Sequence, residues 1–320
     1  MAILVEAERL KKTFGPILAV ADISLKVAKG EVLGFLGPNG AGKSTTMKML
    51  TGFLEPDGGS ARICGISVTD RPKEAKAQLG YLPEGAPAYG DMTTRSFLNF
   101  IAEIRGFDGG RKSARVDAAI ARTGLEDVAN QRIETLSKGF KRRVGLAQAI
   151  LHDPAVLIMD EPTDGLDPNQ KHHVRGLITE MAKDKAIIVS THILEEVEAV
   201  CTRAVVIDRG RIVADGTAED LQRRMPYHNA VAIRVAVAEA DRVAGALAAL
   251  AGVAKVERAA AVNGHVQVRA LPKPGKAIAA EVGALLRDQS IFVEEMLVER
   301  GKLDDVFREI TTSSEGSRHA

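Results

Sequence analysis

The chain has no tryptophan, and aromatic residues make up 4% of its 320 positions. That scarcity disfavours a base-stacking platform or a carbohydrate cleft, both of which rest on aromatic faces. Cysteine is almost absent: Cys64 and Cys201 stand far apart, outside any CxxC or Cys/His grouping. Two buried thiols in a reducing compartment are the plain reading, against a disulfide framework or a metal knuckle. No charge sign dominates, since 43 basic and 42 acidic residues leave a net of +1. From Leu221 onward there are 14 basic and 12 acidic residues, and before it 29 and 30, so neither part is a polycation. A protein that works by neutralising nucleic-acid phosphate is therefore not expected. No apolar run approaches the roughly 18 residues of a membrane span. The N-terminus lacks a basic stretch followed by a long apolar one. The expectation is a soluble, cytoplasmic chain that needs a partner for any membrane role. What is there is ordinary: 45% hydrophobic and 27% charged residues, enough for a core, over a length suggesting two domains.

Up to about Gly216, short apolar runs alternate with helical stretches. Val32–Leu36, Val156–Met159 and Ala186–Val189 are continuous apolar runs, as strands buried on both faces require. Val205–Asp208, Arg209-Gly210 and Arg211–Val213 read as a hairpin closing the sheet. Residues 1–220 are thus an α/β unit, with a block of helical periodicity inserted at about 92–150. The pattern breaks over 221–229, around Pro226, which marks a linker. Beyond it Val231, Ile233, Val235 and Val237 alternate as a strand. A helix is expected at about 239–250, strands at 253–258 and through Val266 and Val268, a helix through Ile278, Val282 and Leu285, and a strand at 291–298. The order βαββαβ is that of a ferredoxin-like α+β domain, placed at 230–312. Leu303, Val306, Phe307 and Ile310 recur at helical spacing and predict a short terminal helix; 313–320 reads as a flexible tail.

Gly37-Pro38-Asn39-Gly40-Ala41-Gly42-Lys43-Ser44-Thr45 satisfies GxxxxGK[ST], after the Val32–Leu36 strand and ahead of a helical pattern. Its glycines let backbone N–H groups wrap a polyphosphate, and the helix N-terminus adds its positive end. Lys43 can reach the β and γ phosphates, and Ser44 can offer its hydroxyl to Mg²⁺. Val156–Met159 ends in Asp160 and Glu161. Carboxylates at the end of a core strand lie at the ligand edge of an α/β sheet. Asp160 is placed to hold Mg²⁺, directly or through water, and Glu161 to polarise an attacking water.

On these residues the first 220 positions resemble an ATP-binding cassette (ABC) ATPase, a P-loop NTPase fold. Further motifs follow in the family's order. Leu136-Ser137-Lys138-Gly139-Phe140 is similar to the signature loop, with a helix expected from near Lys141. The resemblance implies that Ser137 and Gly139 contact the γ-phosphate of ATP held by an opposite subunit. It also implies that Asp167, in Gly165-Leu166-Asp167, belongs to the loop crossing the dimer interface. His192 matches the switch histidine that touches the γ-phosphate, and Phe14 the aromatic that stacks on adenine; an ordinary structural histidine and a core phenylalanine are the alternatives.

Two positions depart from the broad pattern. In Gly80-Tyr81-Leu82-Pro83-Glu84 the family usually ends in Gln, so Glu84 adds a negative charge beside Asp160 and Glu161. Glu84 is either a third oxygen ligand for Mg²⁺ or a solvated side chain. Lys138 and Phe140 stand where Gly and Gln are common. Tyr81–Glu84 with Pro87 and Tyr89, the Leu136–Phe140 loop, Glu161–Gln170 and Leu303–Phe307 resemble the exporter branch serving gliding motility and drug resistance. That likeness implies an ATP-hydrolysing motor subunit that pairs with a second cassette subunit, as a homodimer or with a related chain. It implies a separate membrane-spanning permease too, with this chain peripheral on the inner face of the cell membrane and coupling near Glu84. The other reading is a soluble ABC ATPase acting on ribosomes or DNA; the chain has one cassette, no heptad arm and no cysteine cluster to favour it.

Overall fold

The computed structural model describes residues 2–85, 88–191, 193–223 and 227–299, with the Leu194 side chain left aside. The chain divides into two compact units between Ala218 and Glu219.

The first unit is built on one sheet of ten strands. It opens with two long antiparallel strands, β1 (Ile3–Phe14) and β2 (Ile17–Ala28). Their inward residues, Val5, Ala7, Leu10, Val20, Ile23, Leu25 and Val27, are buried. Then come β3 (Val32–Leu36), α1 (Lys43–Leu50), β4 (Gly58–Ile63), β5 (Ile66–Ser67), α2 (Pro72–Ala77) and β6 (Leu79–Leu82). Three helices follow without an intervening strand: α3 (Thr94–Ile104), α4 (Gly109–Thr123) and α5 (Lys138–Ile150). The remainder is β7 (Val156–Asp160), α6 (Pro168–Ala182), β8 (Ala186–Ser190), α7 (Leu194–Val200), β9 (Arg203–Asp208) and β10 (Arg211–Gly216). The strand order is β5-β4-β1-β2-β10-β9-β3-β8-β7-β6. The hairpin β9–β10 lies inside this order instead of at an edge: β9 pairs in parallel with β3, and β10 meets β2 at Arg211 and Asp22. It joins the antiparallel strands to the parallel ones.

The parallel strands β9-β3-β8-β7-β6 form one half of the sheet, with β6 at its edge. Every residue of β3, β7 and β8 is buried, which is why these strands read as unbroken apolar runs. The three helices α3–α5 enclose a core of their own, including Phe97, Leu98, Val116, Ile120 and Val144. Helix α5 serves two cores. Val144, Ala147 and Leu151 follow it into the helical block, while Leu146, Ala149 and Ile150 pack with Leu157, Met159 and Ile178. It starts at Lys138, three residues earlier than its apolar pattern suggests, because Ser137 caps it by accepting a hydrogen bond from the Phe140 N–H at 3.3 Å.

A short helix, α8 (Ala218–Gln222), runs across the unit boundary into the stretch read as linker. The second unit holds β11 (Ala230–Ala236), α9 (Ala240–Ala248), β12 (Val253–Arg258), β13 (His265–Pro272), α10 (Ala279–Asp288) and β14 (Glu295–Glu299). Its four strands are antiparallel in the order β12-β13-β11-β14. Val231, Ile233 and Val235 point to the face covered by Val243 and Leu247 of α9 and Val282 of α10. The last strand begins at Glu295, since upstream only Glu294 reaches a neighbour, its N–H donating to the Arg234 carbonyl at 3.0 Å. Pro226 and the amphipathic pattern from Leu303 to Ile310 lie outside the described residues, as does 313–320.

Candidate functional site

Four neighbouring parallel strands, β3, β8, β7 and β6, end on one edge of the sheet. The loops leaving them carry the sequence-predicted residues. β3 runs into Gly37–Thr45, β7 into Glu161, β8 into Thr191 and β6 into Pro83 and Glu84. Parallel register sets Asp160 beside Ser190, and Ser190 beside Phe35. In an open α/β sheet this carboxyl edge is where ligands bind.

The loop after β3 wraps tightly. Gly40 and Gly42 hold φ of 81° and 104°, and a Cβ on Gly42 would lie 2.5 Å from the Ala19 carbonyl oxygen. The Ala41 N–H donates to Pro38 at 3.2 Å, and Gly210 N–H donates to Ala41 at 2.9 Å, tying the loop to the β9–β10 turn. Pro38 is half-buried, Asn39 is exposed, and Ser44 and Thr45 are half-buried at the helix start. Lys43 is buried, its Nζ donating to the carbonyls of Gly37 at 2.6 Å and Pro38 at 3.1 Å. Burial pushes its ammonium below the ordinary lysine range, while Glu161, Asp160 and Glu84 pull it back up. Those attractions place all three carboxylates in the field of one lysine.

Asp160 is 2% exposed. Its Oδ1 accepts the Ser190 hydroxyl, and its buried Oδ2 has no hydrogen-bond partner among the described residues. A bare carboxylate oxygen is costly to bury, by about 1–3 kcal/mol, and is the donor type a hard divalent cation takes. Among the described residues no group of three or more His, Cys, Asp or Glu forms a closed metal cage. Mg²⁺ needs none, since it is usually held by one or two carboxylates together with phosphate. Glu161 adopts a left-handed φ of 53° and donates its N–H to Ser190 at 3.0 Å. Glu84 is exposed. Beside it the buried Tyr81 hydroxyl has no hydrogen-bond partner among the described residues and is pushed up to about 12 by burial and by Asp160.

The loop before α5 packs on the loop after β7. A Cβ on Gly139 would meet Gln170 Oε1 at 2.7 Å and the Gly165 carbonyl at 3.2 Å. Lys138 Nζ lies 2.7 Å from Asp164. Ser137 is exposed, and Asp167 caps α6 by accepting from the Gln170 N–H at 2.9 Å. Phe14 sits at the β1–β2 turn, 46% exposed, with Lys12 Nζ 5.8 Å from its ring centre. Asp57 braces that turn through Lys12 and the Thr13 N–H, each at 2.7 Å. His192 and Pro87 lie outside the described residues.

Two side chains that pattern reading passes over belong to the site. Arg142 of α5, 5% exposed, donates to the carbonyls of Pro83 at 2.8 Å and Glu161 at 2.6 Å. Glu196 of α7, 2% exposed, accepts the hydroxyls of Thr163 and, at 3.0 Å, Thr191, with Lys171 Nζ at 3.7 Å. Neither stands out in the sequence, because Arg142 lies between Lys141 and Arg143 and Glu196 directly follows Glu195.

Residues 20–164 match a protein family described as ABC transporter. Over 213 residues the chain is 41% identical to the Nod factor export ATP-binding protein I of Paraburkholderia xenovorans, spanning 66% of this chain and 70% of that one. Over 223 residues it is 36% identical to the linearmycin resistance ATP-binding protein LnrL of Bacillus subtilis, spanning 69% and 72%. Among solved structures, the ATP binding subunit of an ABC transporter superposes with a TM-score of 0.65 at 32% identity, covering 69% of this chain and 92% of that one.

Proposed function

The chain belongs to the ABC transporter ATP-binding proteins, and from that premise we propose that it drives export through a separate permease by closing and reopening a cassette dimer. It is an ATPase, the motor subunit of an ABC exporter. The observation that carries the detailed reading is the shared edge of β3, β8, β7 and β6, which brings the Gly37–Thr45 loop, Asp160 and Glu161 together.

In this reading the N–H groups of Gly37–Thr45 cradle the ATP phosphates, and Lys43 exchanges its two carbonyl acceptors for phosphate oxygens. Phe14 offers an exposed face to adenine. Ser44 and Asp160 would hold Mg²⁺, with Glu84 as a further oxygen donor; the unpartnered Asp160 Oδ2 supports the fit. The ion supplies charge neutralisation on the phosphates. Glu161 takes the proton of the attacking water as the bond from the β–γ bridging oxygen to the γ-phosphorus breaks. His192 contacts the γ-phosphate. Ser137, Gly139 and Asp167 face the ATP of a second copy of the chain, and the close packing of Gly139 on Gly165 supports treating them as one surface.

We read α3–α5 as the helical subdomain inserted in the cassette, supported by its separate core. The second unit reads as a ferredoxin-like accessory domain, supported by its βαββαβ order and its sheet order. A groove of about 840 Å³ between α1, α2, β6 and α3 is lined by Phe53, Ile101, Ile104 and Phe107, with Lys76 and Arg105 at its rim. Phe53 is 74% and Ile104 64% exposed, which supports this groove as the seat of a permease segment. Among the described residues no helix is long and apolar enough to cross a membrane. Placement on the inner membrane face would thus come through the permease. The experiment is a mild-detergent pull-down of the tagged chain from its native membranes. A stoichiometric polytopic membrane protein is expected; ribosomes, DNA or soluble protein alone would refute the reading.

A further inference from the structure

Arg142 is a buried charge that the phosphate chemistry above does not use. It lies on α5, just past the Ser137 cap, and the ends of β6 and β7 are neighbours in the sheet. One planar guanidinium therefore spans the Pro83 and Glu161 carbonyls through two separate nitrogens in a fixed fork, which a single ammonium nitrogen cannot reproduce. The charge stands among Asp160, Asp164, Glu161 and Glu84.

We propose that Arg142 is a positioning residue of the hydrolytic centre, clamping the Glu161 backbone and the chain before Glu84 to α5. The inference rests on the reading of Glu161 as the group that polarises water. Glu161 holds a left-handed φ of 53°, which an L-residue keeps only where its surroundings over-determine it. Its N–H is fixed by the Ser190 carbonyl, and its C=O accepts from Arg142 Nη2 at 2.6 Å and from the Asp164 N–H at 3.1 Å. Together these bonds fix the peptide planes on both sides of the Glu161 Cα, and so the direction of its side chain. Without Arg142 that C=O keeps the local turn bond from Asp164 and loses its tie to α5. Because α5 is bedded in two cores, a movement of the helical block against the sheet reaches Glu161 and the Glu84 loop through the same fork.

The test is steady-state Mg²⁺-ATP turnover by the purified full-length chain, with equilibrium binding of a fluorescent ATP analogue and a thermal midpoint for each variant. Arg142→Gln should lower kcat by about 10- to 100-fold, the scale of displacing a catalytic group by about 1 Å. KM and analogue affinity should stay within about threefold, because Lys43 and its loop are untouched. Arg142→Lys, which keeps the charge but loses the planar fork, should fall between that variant and wild type. A folded Arg142→Gln with wild-type kcat overturns the proposal, as does a KM rising by the factor that kcat falls. If Arg142→Gln does not fold, Arg142→Lys decides: normal affinity with reduced kcat supports the clamp, and wild-type kcat overturns it. Glu161→Gln separates the two readings. Should it hydrolyse at the wild-type rate, the role of Glu161 fails and the clamp with it. Should it be slow while both Arg142 variants run normally, only the clamp fails.

Discussion

Glu196→Ala should destabilise the first unit and slow turnover, and the size follows from what the carboxylate holds. Its two oxygens accept the hydroxyls of Thr163 and Thr191, which are 3% and 0% exposed. Truncation leaves two buried donors without acceptors, at about 1–3 kcal/mol each. Relief from burying a carboxylate whose nearest ammonium is 3.7 Å away offsets part of that. A net loss of about 2–3 kcal/mol is expected, which for a domain of this size is a fall of about 4–12 °C in the midpoint. Thr191 directly precedes His192, and its hydroxyl also accepts the Ile193 N–H at 3.0 Å. Loosening Glu196 therefore loosens the backbone on both sides of His192. Calorimetry on the full chain reads the first quantity and ATP turnover the second. A double-mutant cycle with Thr163→Val or Thr191→Val should give a coupling above about 0.5 kcal/mol. A midpoint within 1 °C of wild type, about the scale of a neutral surface change, would refute the reasoning.

Glu161→Gln should bind ATP, hydrolyse it very slowly and accumulate a dimer in ATP; a variant that sediments as a monomer in ATP counts against the closing dimer. Glu84→Gln should keep Mg²⁺-dependent turnover within about threefold, since an amide oxygen remains a hard donor; complete loss would make Glu84 a required part of the site. Burial and the Arg105 guanidinium push His152 from 6.5 down to about 4. Between those values the unfolded chain binds a proton that the folded chain does not, so stability falls as pH drops through that range. His152→Gln should flatten that part of the stability profile, and an unchanged slope would show that His152 does not titrate as described.

The features that could be read from the sequence are those encoded by neighbours along the chain. The Gly37–Thr45 loop needs glycine at its left-handed positions and lysine at the helix start, so its chemistry and its spacing coincide. Strands β3, β7 and β8 are buried on both faces and carry no polar interruption. β1 was harder to see because Arg9 takes a φ of 47° and shifts the register between Ala7 and Leu10, breaking the alternation. The start of α5 depends on a serine cap that precedes its apolar pattern. Arg142 and Glu196 are invisible for another reason. Their partners lie 59 and 19 positions away for Arg142, and 33 for the Thr163 contact of Glu196, so only the folded sheet edge brings them together.

The two departures from the family pattern find opposite charge within the same unit. Glu84 lies in the field of Lys43 and of Arg142, so its extra negative charge is balanced by cations that the loops already carry. Lys138 pairs with Asp164 at 2.7 Å, with side chains 72% and 49% exposed. An exposed pair of this kind contributes about 0–1 kcal/mol, so little free energy holds Lys138 to its own chain. In the proposed dimer, the triphosphate that a second subunit would bring against this loop carries far more negative charge than Asp164. Lys138 can therefore change partners at small cost, which makes a lysine there compatible with the dimer-dependent chemistry proposed for the site.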